Sequence, residues 1–120
     1  MTPPPDGVEW LIDLTGCSAT ALQDQERLAA LFDTLVAVMN LNPIGRPVWY
    51  RFPITNGLTG FWLLKESHLA MHTFPEYGSA CLNVFCCVRR NPADWQALIT
   101  DCLSGGVVQV REVARSYASV

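Results

Sequence analysis

Between Lys65 and Cys87 the chain reads KESHLAMHTFPEYGSACLNVFCC. These 23 residues hold a serine behind a glutamate, two histidines four apart, a Pro-Glu-Tyr-Gly break and a cysteine pair. The hydroxyl of Ser67 can attack the carbonyl of the peptide bond before it, that of Glu66. The ester so formed can open by β-elimination, which severs the chain and leaves a pyruvoyl ketone at the new N-terminus. Such a group forms a Schiff base with a substrate amine and accepts electrons from the broken bond. The chemistry needs a base near the serine and a proton donor near the substrate's α carbon. A metal site is the competing reading, because His68, His72 and the downstream cysteines are zinc-type ligands. Residues four apart on a strand lie about 13 Å from each other, too far to share one ion, so no metal is assigned. Adjacent Cys86 and Cys87 point to opposite faces of a strand. Cys87 falls with Phe85, Asn83 and Cys81, and Cys86 with Val84 and Val88.

The elements that must position these groups are legible in pattern. Residues 8–17 are apolar enough for a strand. Residues 18–41 carry a helical period through Leu22, Leu28, Leu31, Phe32, Leu35, Val38 and Met39. Ser18 or Thr20 can cap this helix, and Asn40, Asn42 and Pro43 end it. A Pro-flanked strand over 45–54 precedes the turn signal Thr55-Asn56-Gly57. A strand over 58–67 follows, and 68–74 either continues it or folds back as a new one. Residues 75–78 form a turn, and 79–90 is the longest strand candidate. Asn91 as N-cap and Pro92 at the first helical position predict a helix over 91–103. A last strand spans 107–115. The order β-α-β-β-β-β-α-β predicts a two-layer α/β (α+β) sandwich, its sheet mainly antiparallel and its two helices on one face. The other face must meet solvent or another subunit.

Bulk properties narrow the class. A chain of 120 residues makes one domain, 1–120. Half of it is apolar and only 16% is charged, a sparse supply for a small surface, which predicts an oligomer. A net charge of −3 without a basic run argues against nucleic-acid binding. The opening MTPPPDG lacks the basic and apolar regions of a secretory signal and reads as a short flexible leader. No apolar run approaches the roughly 20 residues of a membrane span. Five cysteines without an export signal read as reduced thiols of a cytoplasmic protein.

The run ESHLAMHTFPEYG followed by NVFCC resembles the prokaryotic S-adenosylmethionine decarboxylase family, whose pattern is close to ESHL-x-x-H-T-W-P-E-Y-G and then D-x-F-T-C. The segment NGLTG at 56–60 is similar to that family's GVSG. The likeness is strong over residues 56–87 and weak over the N-terminal strand and helix. It implies cleavage between Glu66 and Ser67 into a β chain (1–66) and an α chain (67–120), with Ser67 becoming the pyruvoyl cofactor. It further implies that His72 assists processing, with Thr59 in place of the family's usual serine. Cys87 corresponds to the cysteine that returns a proton to substrate, and Glu76 to the acid that binds the ribose hydroxyls. Phe74, in place of a tryptophan, and Phe52 are the aromatic candidates for adenine and sulfonium. Asn83 replaces the family's aspartate, and Cys81 stands just beyond the small residue that follows the tyrosine-glycine pair.

The implied reaction is decarboxylation of S-adenosylmethionine to an aminopropyl donor for polyamine (spermidine) biosynthesis. Divergent members act on L-ornithine or L-arginine, and an unprocessed, non-catalytic homologue is a further alternative. A distal cation would want a carboxylate partner, and with Asn83 the sequence shows no obvious new one, which favours the nucleoside substrate. The family's eukaryotic relatives resemble two fused copies of such a domain. That implies a homodimer with shared sites, in which Ser67 and Cys87 face Thr59, His72 and Glu76 of the mate.

Overall fold

The computed structural model describes residues 6–117. Six strands form, β1 (Asp6–Thr15), β2 (Val48–Arg51), β3 (Leu58–Leu64), β4 (Ser67–Phe74), β5 (Ser79–Cys86) and β6 (Val107–Ser116). They are joined by helices α1 (Ala19–Leu22), α2 (Gln25–Val38) and α3 (Trp95–Leu103). Across the sheet the order is β2-β3-β4-β5-β1-β6, and every neighbouring pair is antiparallel. The expected α+β sandwich is therefore present, with β1 inserted between β5 and β6. No helix among the described residues is long and apolar enough to cross a membrane.

Period-two alternation decides which face is core. Trp10, Ile12 and Leu14 of β1, Leu69 and Met71 of β4, and Leu82 and Val84 of β5 are buried. Leu28, Leu31, Phe32 and Leu35 of α2 and Ile99 and Leu103 of α3 complete that core. The opposite face carries Thr59, Phe61 and Leu63, then His68, His72 and Phe74, then Cys81, Asn83 and Phe85, none of them buried.

Several element boundaries depart from the sequence reading. The helix expected over 18–41 divides at Gln23-Asp24, because Asp24 accepts from the N–H groups of Glu26 and Arg27 and starts α2 anew. Ser18 caps α1, and Asn40 closes the helical segment with φ 54°. The helix expected from Asn91 starts at Trp95 instead, where Asp94 caps the Ala97 N–H at 3.2 Å and Trp95 packs on Trp10. The strand expected over 45–54 shrinks to Val48–Arg51, bracketed by Pro47 and Pro53, which lack the ladder donor. The strand expected over 58–67 ends at Leu64, and 68–74 folds back as β4 with Ser67 as its first residue. The strand expected over 79–90 ends at Cys86. Of the expected leader, Asp6 and Gly7 belong to β1, and residues 1–5 lie outside the described residues.

Thr73 locks β4 in place. It is 3% exposed, its hydroxyl donates to the Leu22 carbonyl at 2.8 Å, and it accepts the Leu58 N–H at 2.9 Å. Gly57 is required alongside, because a Cβ there would stand 2.6 Å from the Thr73 carbonyl oxygen. Thr73→Val keeps the shape and orphans both partners, so it should cost about 1–3 kcal/mol in denaturant melts, with Thr73→Ser recovering most of the loss.

Candidate active site

Ser67 stands at the mouth of the β3–β4 hairpin. Leu64 pairs with Ser67, so Lys65 and Glu66 alone make the turn. The segment before β2 braces it, as Asn42 O accepts the Lys65 N–H and Leu63 O accepts the Ile44 N–H, each at 2.9 Å. Across the ladder Ser67 pairs with Cys86, and the ladder runs one residue further, where the Cys87 N–H donates to the Glu66 carbonyl at 2.9 Å. That carbonyl is the one a Ser67 hydroxyl would attack, and the amide polarises it and can hold an oxyanion there. Ser67 Oγ is buried and has no hydrogen-bond partner of ordinary geometry among the described residues. A buried hydroxyl left unpaired beside a reactive carbonyl suits a group that reacts rather than one that braces the fold.

The two cysteines have different surroundings. Cys86 shares the core face with Ser67 and is fully buried. Burial pushes its thiol up, with the nearby Ser67 hydroxyl and the Arg90 charge opposing. Cys87 is half-buried, and alternation sends its side chain to the other face. Its peptide is held on both sides, since Tyr117 Oη donates to the Cys87 carbonyl at 2.5 Å.

The remaining candidates gather at the far end of β4. Thr59 Oγ1 and His72 Nδ1 are 2.9 Å apart on the open face. Beside them Phe52, Pro53, Thr55, Thr73, Phe74 and Glu76 line an open cavity of about 320 Å³. A 3₁₀ turn at Pro75–Tyr77 carries Glu76, closed by Gly78 at φ 63°. His72 lies five residues along the strand from Ser67, about 16 Å away, and on the opposite face. Within one chain the candidates thus form two groups, Glu66, Ser67 and Cys87 at one end and Thr59, His72, Phe74, Glu76 and Phe52 at the other.

Sequence reasoning missed a polar chain on the open face. His68 Nε2 meets Asn83 Oδ1 at 2.8 Å, and Asn83 Nδ2 donates to Glu9 at 2.8 Å. Arg115 donates to the other Glu9 oxygen and lies over the Phe85 ring, 5.6 Å from its centroid. The Asn83 amide holds the Glu9 carboxyl below the usual range, against the opposing effect of burial, and Arg115 adds to it. A carboxylate therefore does stand beside Asn83, on β1, contrary to the expectation of no new acid there. The charge between apolar residues in VEWLID hinted at an outward-facing acid; its partners are 74 and 106 residues away, beyond any local signal. Glu66 likewise has partners the sequence did not suggest, Asn42 and Arg90.

Comparison with known proteins matches this arrangement to one family. The family model described as S-adenosylmethionine decarboxylase matches residues 8–116. The chain is 33% identical over 88 residues to an S-adenosylmethionine decarboxylase proenzyme of Picrophilus torridus, covering 73% of this chain and 66% of the relative. It is 32% identical over 106 residues to one from Syntrophomonas wolfei, covering 88% and 82%. Alignments to the archaeal relatives from Picrophilus and Pyrobaculum span only 59% to 66% of their lengths. The fold superimposes on the crystal structure of the adenosylmethionine decarboxylase from Aquifex aeolicus with a TM-score of 0.76 at 26% identity, covering 97% of this chain and 95% of that one. With the family's motif lying on the β3–β4 hairpin and β5, the chain belongs to the S-adenosylmethionine decarboxylase family.

Proposed function

We propose that this chain is a self-processing, pyruvoyl-dependent decarboxylase of S-adenosylmethionine, working as a homodimer with shared sites and supplying an aminopropyl donor for polyamine synthesis. The carrying observation is the Glu66–Ser67 peptide, whose carbonyl accepts the Cys87 N–H at 2.9 Å next to a buried Ser67 hydroxyl with no hydrogen-bond partner of ordinary geometry among the described residues. Those residues fit a pyruvoyl group at position 67. Once formed, it supplies an electron-withdrawing carbonyl that condenses with a substrate amine.

The chain's own residues do the rest. Phe52 and Phe74 offer ring faces and edges to an adenine and a sulfonium, and Glu76 accepts from ribose hydroxyls. Cys87 gives a proton to the substrate carbon after CO2 leaves. Cys86 is a poor donor because it is sealed in the core and its thiol is held up by burial. The nucleoside substrate is favoured over ornithine or arginine, since the one acid added beside Asn83, Glu9, is already paired with Arg115. The separation of the two groups along β4 supports sharing. In this reading Thr59, His72 and Glu76 of one protomer serve the Ser67 and Cys87 end of its partner.

Purified protein should split into residues 1–66 and 67–120, the latter without a free amino terminus, and Ser67→Ala should stay whole and inactive. Cleavage of that variant at the same bond, seen by mass spectrometry, would refute the assignment. Carbon dioxide release from S-adenosylmethionine, ornithine and arginine, run in parallel, identifies the substrate, and only the first should be turned over efficiently.

Cys87→Ala should still process but lose at least about tenfold in turnover, the loss of a positioned general acid. Cys86→Ala should lower the melting temperature and leave turnover near wild type. Equal losses from both would move the donor role.

Cys87→Ala and Glu76→Ala chains should each be crippled, at or below about a tenth of wild-type turnover, and regain activity after subunit exchange. About a quarter of wild-type activity is expected, because half of randomly paired dimers are mixed and each carries one intact site. Exchanged mixtures as inactive as their parents would mean that each chain houses a complete site.

A further inference from the structure

Cleavage at Glu66–Ser67 makes a charge that the intact hairpin does not have, and one side chain near it has capacity to spare. Glu66 Oε1 accepts from Asn42 Nδ2 at 3.1 Å and from Arg90 Nη2 at 3.3 Å. The Arg90 and Glu66 side chains are only 22% and 16% exposed. Arg90 Nε is buried with no acceptor among the described residues. A guanidinium has five N–H donors, and burying one unpaired is costly unless an acceptor arrives. Before cleavage the Glu66 main chain offers a single carbonyl oxygen, already bonded to the Cys87 N–H. Afterwards it offers a carboxylate.

We propose that Arg90, with Asn42 and the Cys87 N–H, receives the α-carboxylate that self-cleavage creates at Glu66, and so stabilises the leaving group of the elimination step. The inference rests on the self-cleavage proposed above. In the first step Ser67 Oγ bonds to the Glu66 carbonyl carbon and the C–N bond to Ser67 breaks, giving an ester and a free Ser67 amine, with no net charge on Glu66's main chain. In the second step the Ser67 Cα proton leaves to a base and the Cβ–Oγ bond breaks. Its electron pair departs with the Glu66 carboxylate, which keeps the serine oxygen. The dehydroalanine left behind tautomerises, and water replaces ammonia to give the ketone. The oxyanion of the acyl shift is transient and has the Cys87 N–H on it, whereas the second step leaves a lasting carboxylate with a second oxygen to satisfy, so a cation there acts chiefly on elimination. Arg89, the adjacent cation, is committed to Asp6 at 3.0 Å and serves as control.

Freshly translated chains carrying Arg90→Gln, Arg90→Lys or Arg89→Gln, with wild type beside them, are incubated with and without hydroxylamine and weighed as intact fragments. Hydroxylamine cuts an accumulated ester into residues 1–66 ending in a hydroxamate and residues 67–120 beginning with a free serine. Arg90→Gln should form the pyruvoyl fragment about tenfold more slowly and accumulate the ester. Arg90→Lys, which keeps the charge but loses the fork, should accumulate less ester, and Arg89→Gln none. Melting curves of the same substitutions in the Ser67→Ala background report folding. Should Arg90→Gln not fold, Arg90→Lys decides: ester above wild type supports the inference and its absence overturns it. Pyruvoyl formation at the wild-type rate in Arg90→Gln, or slowing without trapped ester, also overturns it. Wild type that stays whole would overturn the self-cleavage itself.

Discussion

The register of β4 between β3 and β5 governs nearly everything else in the molecule. Ser67 faces Leu64 on one side and Cys86 on the other, and the ladder reaches one step further to bond Glu66 to Cys87. A slip of one residue would exchange the two faces of the strand. It would bring His68, His72 and Phe74 into the core and expel Leu69 and Met71, both of which have no exposed surface. Burial on one face and the paired hydroxyl of Thr73 make that slip costly. The same register that holds the Glu66 carbonyl against the Cys87 amide also sends His72 to the far end and the other face. Fixing one group of candidate residues at one end of β4 thus places the other group at the far end, the separation on which the proposed two-fold sharing rests.

The open face has the character that the proposed partner would need. Phe61 and His68 stack at 5.7 Å, His68 and Phe85 lie at the same distance, and Arg115 covers Phe85. Along this band Asn83 joins His68 to Glu9, and Glu9 is paired with Arg115. Phe61 and Leu63 remain 42% and 51% exposed in the single chain, which is wasteful for a face that water covers and ordinary for one that protein covers. Charges that are already paired cost less to desolvate than lone ones, so the polar chain does not oppose burial of the face.

Much of this could be read from the sequence because the informative signals were local. The motif from Glu66 to Cys87 lies in one hairpin and the next strand, so its residues keep their spacing in space. The heptad-like apolar positions of α2 likewise needed no tertiary information. What failed had competing or distant causes. Lys65-Glu66 turns the chain without any of the residues that usually mark a turn, because strand pairing on both sides dictates it. Asp24 breaks a helix whose apolar period runs straight through, since a carboxylate that can cap outweighs the pattern. Pro92 suggested a helix start that Asp94 and the packing of Trp95 on Trp10 set three residues later. The pairing of Glu9 and of Arg90 carried no local mark, because their partners come from other strands and loops.

In the proposed chemistry one backbone contact beside the pair of cysteines would serve both stages. Cys86 spends its side chain on the core beside Ser67. Cys87 spends its main chain on the hairpin, with its N–H on the Glu66 carbonyl and its carbonyl on Tyr117. In the intact chain the first of these bonds draws charge toward the oxygen that an acyl shift would load. In a cleaved chain the same oxygen belongs to a carboxylate, a stronger acceptor than the amide carbonyl it replaces. The bond that assists cleavage would therefore tighten as cleavage completes, and it would hold the Cys87 thiol in place for proton delivery just as Ser67 loses its covalent tether to the turn.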